Sequence, residues 1–358
     1  MHQPIDFRSP DFLRAHILDT MAFYDPVARD PSGGFFHFFK DDGTVYDRET
    51  RHLVSSARFV FNHATAFRRY GKGPWQAAAR HGLRFLREVH RDASSGGYAW
   101  LLRWDGHERQ VLDATNHCYG LAFVLLAHAH ALMAGIEEAR DGIAETFDLM
   151  ERHFWEPRHG LYADEADANW LLKPYRGQNA NMHACEAMLA AHAATGDARY
   201  LERAELLAHN VTRHLDERAG GILWEHYHAD WSPDWDYNKN DKSNIFRPWG
   251  IQTGHLTEWA KLLLQLDHRR PADWRLHRAR ELFAAATEHG WDRSHGGLVY
   301  GFYRDTEHHK WPVCDSDKYF WVQAESIAAA ALLAVRTGEG GYWDWYDRLW
   351  DYSWQHFV

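Results

Sequence analysis

The sequence is poor in cysteine. Cys118, Cys185 and Cys314 are odd in number, far apart and form no CxxC pair. That pattern excludes a disulfide frame and reads as reduced thiols in a cytoplasm. No run reaches 18 apolar residues, and the opening MHQPIDFRSPDF has no apolar segment, so neither a membrane span nor a secretion signal is expected. Positive charge is also short. The net charge is −10 with histidine neutral, which disfavours nucleic acid and anionic membranes as partners. Several chemical signatures are missing: GxSxG, HExxH, a DxDxDG calcium loop and any nucleotide-binding loop. No low-complexity linker interrupts the 358 residues, so a single domain over 1–358 is expected.

Aromatic residues and histidine are abundant instead. There are 18 Trp, 16 Tyr and 19 Phe. Aromatic faces stack on the C–H faces of sugars, so the excess suits a carbohydrate-lined cleft, although packing between helices also consumes aromatics. With 27 His, a lone histidine carries little information, and only one with a placed partner counts.

A cassette recurs along the chain: an acid, polar residues, glycine, then bulky apolar or aromatic residues. Its copies read DPSGGFFHF, DASSGGYAW, EPRHGLYAD, DERAGGILW and DRSHGGLVYGF. Their key glycines, Gly34, Gly97, Gly160, Gly221 and Gly297, are spaced by 63, 63, 61 and 76 residues, the mark of a repeat architecture. Each interval holds two helical patterns. The one following the cassette is the more apolar all round and should be the buried member. Such pairs, repeated about six times, imply an all-α (α/α)6 barrel, with the cassettes as turns or hairpins on one side. The period places a sixth cassette near residue 360, so the expectation is a barrel open by one helix or a chain cut short of its twelfth.

The inner-helix patterns carry polar or aromatic groups in their first turns. These are Arg58; Asn116 and Tyr119; Asn179, His183 and Glu186; His255 and Glu258; and Lys318, Trp321, Gln323 and Glu325. With parallel inner helices the heads meet at one mouth, and helix N-termini add positive potential there. A convergent polar set over an apolar floor is the usual form of a small-molecule site. Several have structural readings: Arg58 as a surface ion-pair partner, Asn179 as a helix cap, His183–Glu186 and His255–Glu258 as satisfied pairs, Lys318–Glu325 as an ion pair.

Two His-x-x-Glu pairs resemble metal ligands, but the bundle di-metal signature runs Glu-x-x-His, so neither metal nor cofactor is expected. Glycoside hydrolysis needs two opposed carboxylates. Glu186, Glu258, Glu325 and Asp315 are available, yet each helix-borne Glu has a base or amide beside it. A histidine held by a carboxylate suits proton transfer near neutral pH, and an arginine can stabilise an oxyanion. His255, Glu258 and Arg58 therefore imply proton abstraction alpha to a carbonyl. On a sugar this is isomerisation or epimerisation through an enediolate.

Four motifs in order, RHLVSSARFVFNHA, YRGQNANMHACEA, FRPWGIQTGHLTEWAKLL and DKYFWVQAESIAAAA, resemble the N-acylglucosamine 2-epimerase superfamily. The likeness runs from about residue 10 to the end and is closest to the branch of mannose isomerases and related aldose–ketose isomerases. It implies the same (α/α)6 barrel and a metal-free enzyme interconverting mannose and fructose, with a 2-epimerase on free, N-acylated or disaccharide sugars as the alternative. It assigns Arg58 to the enediolate oxygens, His255 to acid/base work and Glu258 to its support. It also implies that Tyr119, Asn179, His183, Trp321 and, in the preceding loop, Arg247 contact the sugar. Glu186 and Gln323 join this substrate-binding group by position. Thr253-Gly254-His255 replaces the family's Pro-Gly-His, and the family's second catalytic histidine, at the head of a twelfth helix, falls beyond Val358. The implied partner is a monosaccharide, and the implied assembly a monomer or homo-oligomer in the cytoplasm.

Overall fold

The computed structural model describes residues 5–241, 243–244 and 246–358. The chain divides into two compact bodies. The first runs to Tyr175 and takes in His183–Ala204; the second takes Arg176–Met182 and Glu205–Val358. The helices, in order, are α1 (Pro10–Tyr24), α2 (Leu53–Tyr70), α3 (Gly73–Phe85), α4 (Cys118–Met133), α5 (Arg140–His153), α6 (Gln178–Thr195) and α7 (Ala198–His209). There follow the single turn α8 (Asp216–Arg218), then α9 (Thr253–Arg269), α10 (Asp273–Gly290), α11 (Phe320–Thr337) and α12 (Gly340–His356).

Burial follows the apolar pattern. In α4, CYGLAFVLLAHAHALM, nearly every residue from Cys118 to Leu132 is buried. Its neighbour α5 buries a single face, with Ile143, Thr146, Phe147 and Met150 at helical spacing. In the first body α2 packs on α3 and α4, and α4 on α5. In the second, α9 packs on α10 and α11, and α11 on α12. Inner helices thus touch inner helices, and each outer helix leans on an inner one. Helices α2 and α11 end on Gly71 and Gly338 in the left-handed conformation, whose N–H groups return to the carbonyls of Phe67 and Ala334.

Three of the cassettes are turns that use the carboxylate of their first Asp. Asp92 Oδ1 accepts from the N–H groups of Ser94 and Ser95 at 3.0 and 2.9 Å, while its own N–H donates to Gly97 O at 2.7 Å. Asp292 repeats the arrangement with Ser294, His295 and Gly297, and Asp30 repeats it in part, its Oδ1 accepting from Ser32 N–H and its own N–H donating to Gly34 O. In the second copy the left-handed residue is Gly96, at φ +73°, rather than Gly97. Gly97 is small for another reason: a Cβ there would meet Asn116 Oδ1 at 2.4 Å.

A short strand precedes four of the inner helices and pairs antiparallel with a strand just after the next cassette. Thr50–His52 pairs with Leu101–Trp104, Asn116–His117 with Glu165–Ala166, Arg176–Gly177 with His226–Tyr227, and Ile251–Gln252 with Gly301–Phe302. The first helical N–H of each then donates to the end of the cassette. These bonds are Leu53 to Trp100 O (3.0 Å), Cys118 to Asp164 O (2.8 Å), Gln178 to Glu225 O (3.2 Å) and Thr253 to Tyr300 O (3.0 Å). An otherwise orphaned helix N–H is satisfied each time. The same bond sets the residue at the position of Trp100, Asp164, Glu225 or Tyr300 beside a helix head.

Candidate active site

In the second body the chemistry collects at the head of α9. His255 is 5% exposed and Glu258 4%. The carboxylate that meets His255 comes from the residue just after the fourth cassette: His255 Nδ1 lies 2.9 Å from Glu225 Oε2, and Glu225 is 2% exposed. Gln178, the first residue of α6, donates from Nε2 to the same oxygen at 2.8 Å, and its own Oε1 accepts from Trp259 Nε1 at 2.6 Å. The other oxygen, Oε1, accepts the N–H of Gln252 at 3.3 Å. Burial alone would raise the Glu225 carboxyl. The charge of His255 and the hydrogen bonds from His255 and Gln178 outweigh it and hold the group below the usual carboxylate range.

An ionised carboxylate only accepts, so the proton of a neutral His255 belongs on Nδ1, and Nε2 carries the lone pair. Gln178 Nε2 lies 2.9 Å from Nδ1 because both nitrogens converge on one oxygen. The reverse tautomer would set the Nδ1 lone pair against a carboxylate oxygen at 2.9 Å, the costlier arrangement. This arrangement leaves the lone pair of His255 on Nε2.

Sequence reasoning put Glu258 in the supporting role, because it shares a helix face with His255. The carboxylate on Nδ1 is instead Glu225, from 30 residues upstream. The signal for it was in the repeat: DERAGGILW stops one residue short of the position that aligns with Trp100, Asp164 and Tyr300. Around Glu258, Lys261 Nζ lies 3.8 Å from its Oε1 and bonds Glu325 Oε2 at 2.5 Å. The expected Lys318–Glu325 pair is not formed, since Lys318 bonds Asp292 at 2.7 Å. Gln323 is a second correction. It is fully buried, and its amide clamps the backbone of Leu298, accepting from N at 3.0 Å and donating to O at 2.9 Å. It braces the fifth cassette from a fully buried position.

The other residues expected in this body lie in partly open positions. Trp321 is half-buried, its ring centroid 5.5 Å from that of His255. Asn179 is half-buried, and its Oδ1 is buried without a hydrogen-bond partner among the described residues, an acceptor suited to a ligand hydroxyl. Arg247 is half-buried, with its main chain fixed by Asn244 and Asn238.

In the first body Phe123 organises a second group. The Arg58 guanidinium lies over its ring at 4.5 Å, and His183 packs on it at 4.8 Å. Tyr119 meets His183 edge-on at 4.9 Å. His183 Nδ1 lies 3.2 Å from Glu186 Oε2, a histidine–carboxylate pair within one helix turn. Arg58 is exposed, and no carboxylate partner for it is found among the described residues, so the surface ion-pair reading does not apply. Its charge reaches His52, whose imidazole is lowered to about 4, chiefly by burial and partly by Arg58. Phe123 was missed because, inside an apolar helix, it looks like any core residue.

A D-mannose isomerase of Marinomonas mediterranea is 54% identical over 354 residues, covering 98% of this chain and 87% of that protein. A D-mannose isomerase of Thermobifida fusca is 40% identical over 287 residues, 79% of this chain and 68% of that protein. A crystal structure of a D-mannose isomerase superposes with a TM-score of 0.95 at 52% identity, over 99% of this chain and 89% of that one. The cellobiose 2-epimerase of Spirochaeta thermophila, 24% identical, shares the fold with a TM-score of 0.81 over 99% of this chain and 88% of that one. Residues 34–358 match the family described as N-acylglucosamine 2-epimerase (GlcNAc 2-epimerase). The chain, an all-α protein of the (α/α)6-barrel class, belongs to the N-acylglucosamine 2-epimerase family.

Proposed function

We propose that the chain is an aldose–ketose isomerase that interconverts mannose and fructose. The observation that carries this reading is the 54% identity to a D-mannose isomerase across 98% of the chain. The His255–Glu225 pair supplies a base suited to the reaction. Nε2 of His255 takes the proton from C2 of the open-chain aldose. The electrons of that C–H bond form the C1–C2 double bond, and the carbonyl pair moves to O1, giving a cis-enediolate. Arg58 opposes the new negative charge, where a guanidinium fork suits two neighbouring oxygens. Transfer of the O2 proton to O1 and return of the first proton to C1 complete the ketose.

Tyr119, Asn179, His183, Glu186, Trp321 and Arg247 are assigned to sugar binding. Glu258 is assigned to the catalytic group, as a partner for a substrate hydroxyl. Buried, unbridged Cys118 and Cys185 favour residence in the cytoplasm, and no described helix is long and apolar enough to cross a membrane. The test is incubation with mannose, with and without EDTA, and separation of fructose from glucose. Fructose, unaffected by EDTA, is expected. Glucose as the main product would make the protein a 2-epimerase, since the same enediolate would then be reprotonated at C2. Dependence on a divalent ion would overturn the metal-free reading.

A further inference from the structure

The tautomer of His255 is set from outside its own helix. Glu225 reaches it from just after the fourth cassette and accepts from two donors at one oxygen, His255 Nδ1 at 2.9 Å and Gln178 Nε2 at 2.8 Å. The amide of Gln178 cannot flip without loss. Its Oε1 accepts from Trp259 Nε1 at 2.6 Å, and a flipped amide would turn NH2 against that indole N–H and its oxygen against the carboxylate. Trp259 lies four residues after His255, on the same face of α9. The relay therefore starts and ends on one helix: Trp259 to Gln178 to Glu225 to His255. Glu225, Gln178 and Trp259 are each at most 2% exposed, and the backbone holds Glu225 at both ends through its carbonyl and through Gln252 N–H. At the repeat-equivalent position stand Trp100, Asp164 and Tyr300, so the fold does not require a carboxylate with this partner there.

We propose that Glu225 is the positioning residue of the proton-transfer step. It holds the proton of His255 on Nδ1, keeps Nε2 bare, and stabilises the imidazolium formed when Nε2 takes the C2 proton; Gln178 and Trp259 fix its orientation. This rests on the isomerase reading above. It also separates two roles that helix spacing merged: Glu225 acts through the histidine ring, which leaves Glu258 for the substrate.

The experiment compares Glu225→Gln, Glu225→Asp and Trp259→Phe with the parent, measuring kcat, KM, solvent-deuterium incorporation at C2 of mannose, and circular dichroism. Glu225→Gln keeps the shape and removes the charge. Its kcat is expected to fall roughly 10²–10⁴-fold, the range of general-base catalysis and of orienting carboxylates in other enzymes, with KM within about threefold. C2 exchange should fall in parallel. Glu225→Asp keeps the charge on a shorter arm and should retain more activity than Glu225→Gln. A group that only fills space would give the opposite order, because Gln is the closer isostere. Trp259→Phe frees the Gln178 amide and should lower kcat by about tenfold. Near-parental kcat in Glu225→Gln, or Asp below Gln, overturns the proposal. If Glu225→Gln does not fold, the other two variants decide it: loss of kcat at unchanged KM in both supports the relay, and parental kcat in Trp259→Phe overturns it. A parent that neither isomerises mannose nor exchanges its C2 proton refutes the isomerase reading itself, and this inference with it.

Discussion

The indole of Trp321 rests on the bare Cα of Gly254. A Cβ at Gly254 would stand 2.4 Å from Cζ3 of that ring and 3.0 Å from Cγ2 of Val322. The glycine that precedes His255 thus permits close approach of the aromatic ring beside it, at a position whose φ is not left-handed. Gly254→Ala must push Trp321 outward. The expected result is a rise in KM for mannose of about tenfold, since the ring is assigned to sugar binding and base–aromatic or sugar–aromatic contacts are worth on the order of 1 kcal/mol. Parental KM and kcat would show that Trp321 does not contact the sugar.

Arg58 is held by the ring of Phe123 rather than by an ion pair. Arg58→Lys retains the charge but loses the planar fork, so kcat should drop roughly 10²-fold or more, as when an oxyanion donor is removed. Far-UV circular dichroism should not change, because the side chain is exposed. A variant with normal kcat would move Arg58 out of the site.

His255→Ala should abolish exchange of the C2 proton with solvent deuterium. It also leaves Glu225 short of a buried donor, so the variant should be about 1–3 kcal/mol less stable in urea while remaining folded. Exchange at the parental rate in a folded variant would show that another group is the base.

Acid should weaken the first body through neutral buried histidines. His90 and His128 are lowered to about 4 by burial, which in His90 outweighs the hydrogen bond from Nδ1 to Ala99 O. Unfolded histidine takes its proton near pH 6.5. Between pH 6.5 and 4 the unfolded chain therefore binds more protons than the folded one. Stability is complete above pH 6.5 and falls as pH drops through the window, with a limiting slope of about 1.4 kcal/mol per pH unit for each group. Urea midpoints at pH 7, 6 and 5 measure this. Replacing His90 with Gln should flatten the slope by about one proton, and an unchanged slope would show that His90 is protonated in the folded state.

Much of this protein was set by local pattern. The cassette period placed the turns, because short-range bonds such as those from Ser94 and Ser95 N–H to Asp92 Oδ1 depend on local sequence alone. Apolar spacing separated α4 from α5, because the free energy of burial is roughly additive along a helix face. His255, Arg58 and Trp321 were legible as polar or aromatic groups at the heads of otherwise apolar helices. Partnership was not legible. Glu258 shares a face with His255, yet the carboxylate on Nδ1 is Glu225, delivered by a two-residue strand pairing and a cassette turn. Lys318 and Glu325 lie at helical spacing, yet each pairs with a residue from another element, Asp292 and Lys261. Gln323 heads its helix with the others, yet its amide closes on the Leu298 backbone. Spacing along one chain decides which face a side chain occupies. Which buried donor meets which acceptor is decided only when distant segments pack, because a buried polar group must find its partner wherever the fold brings one within about 3 Å.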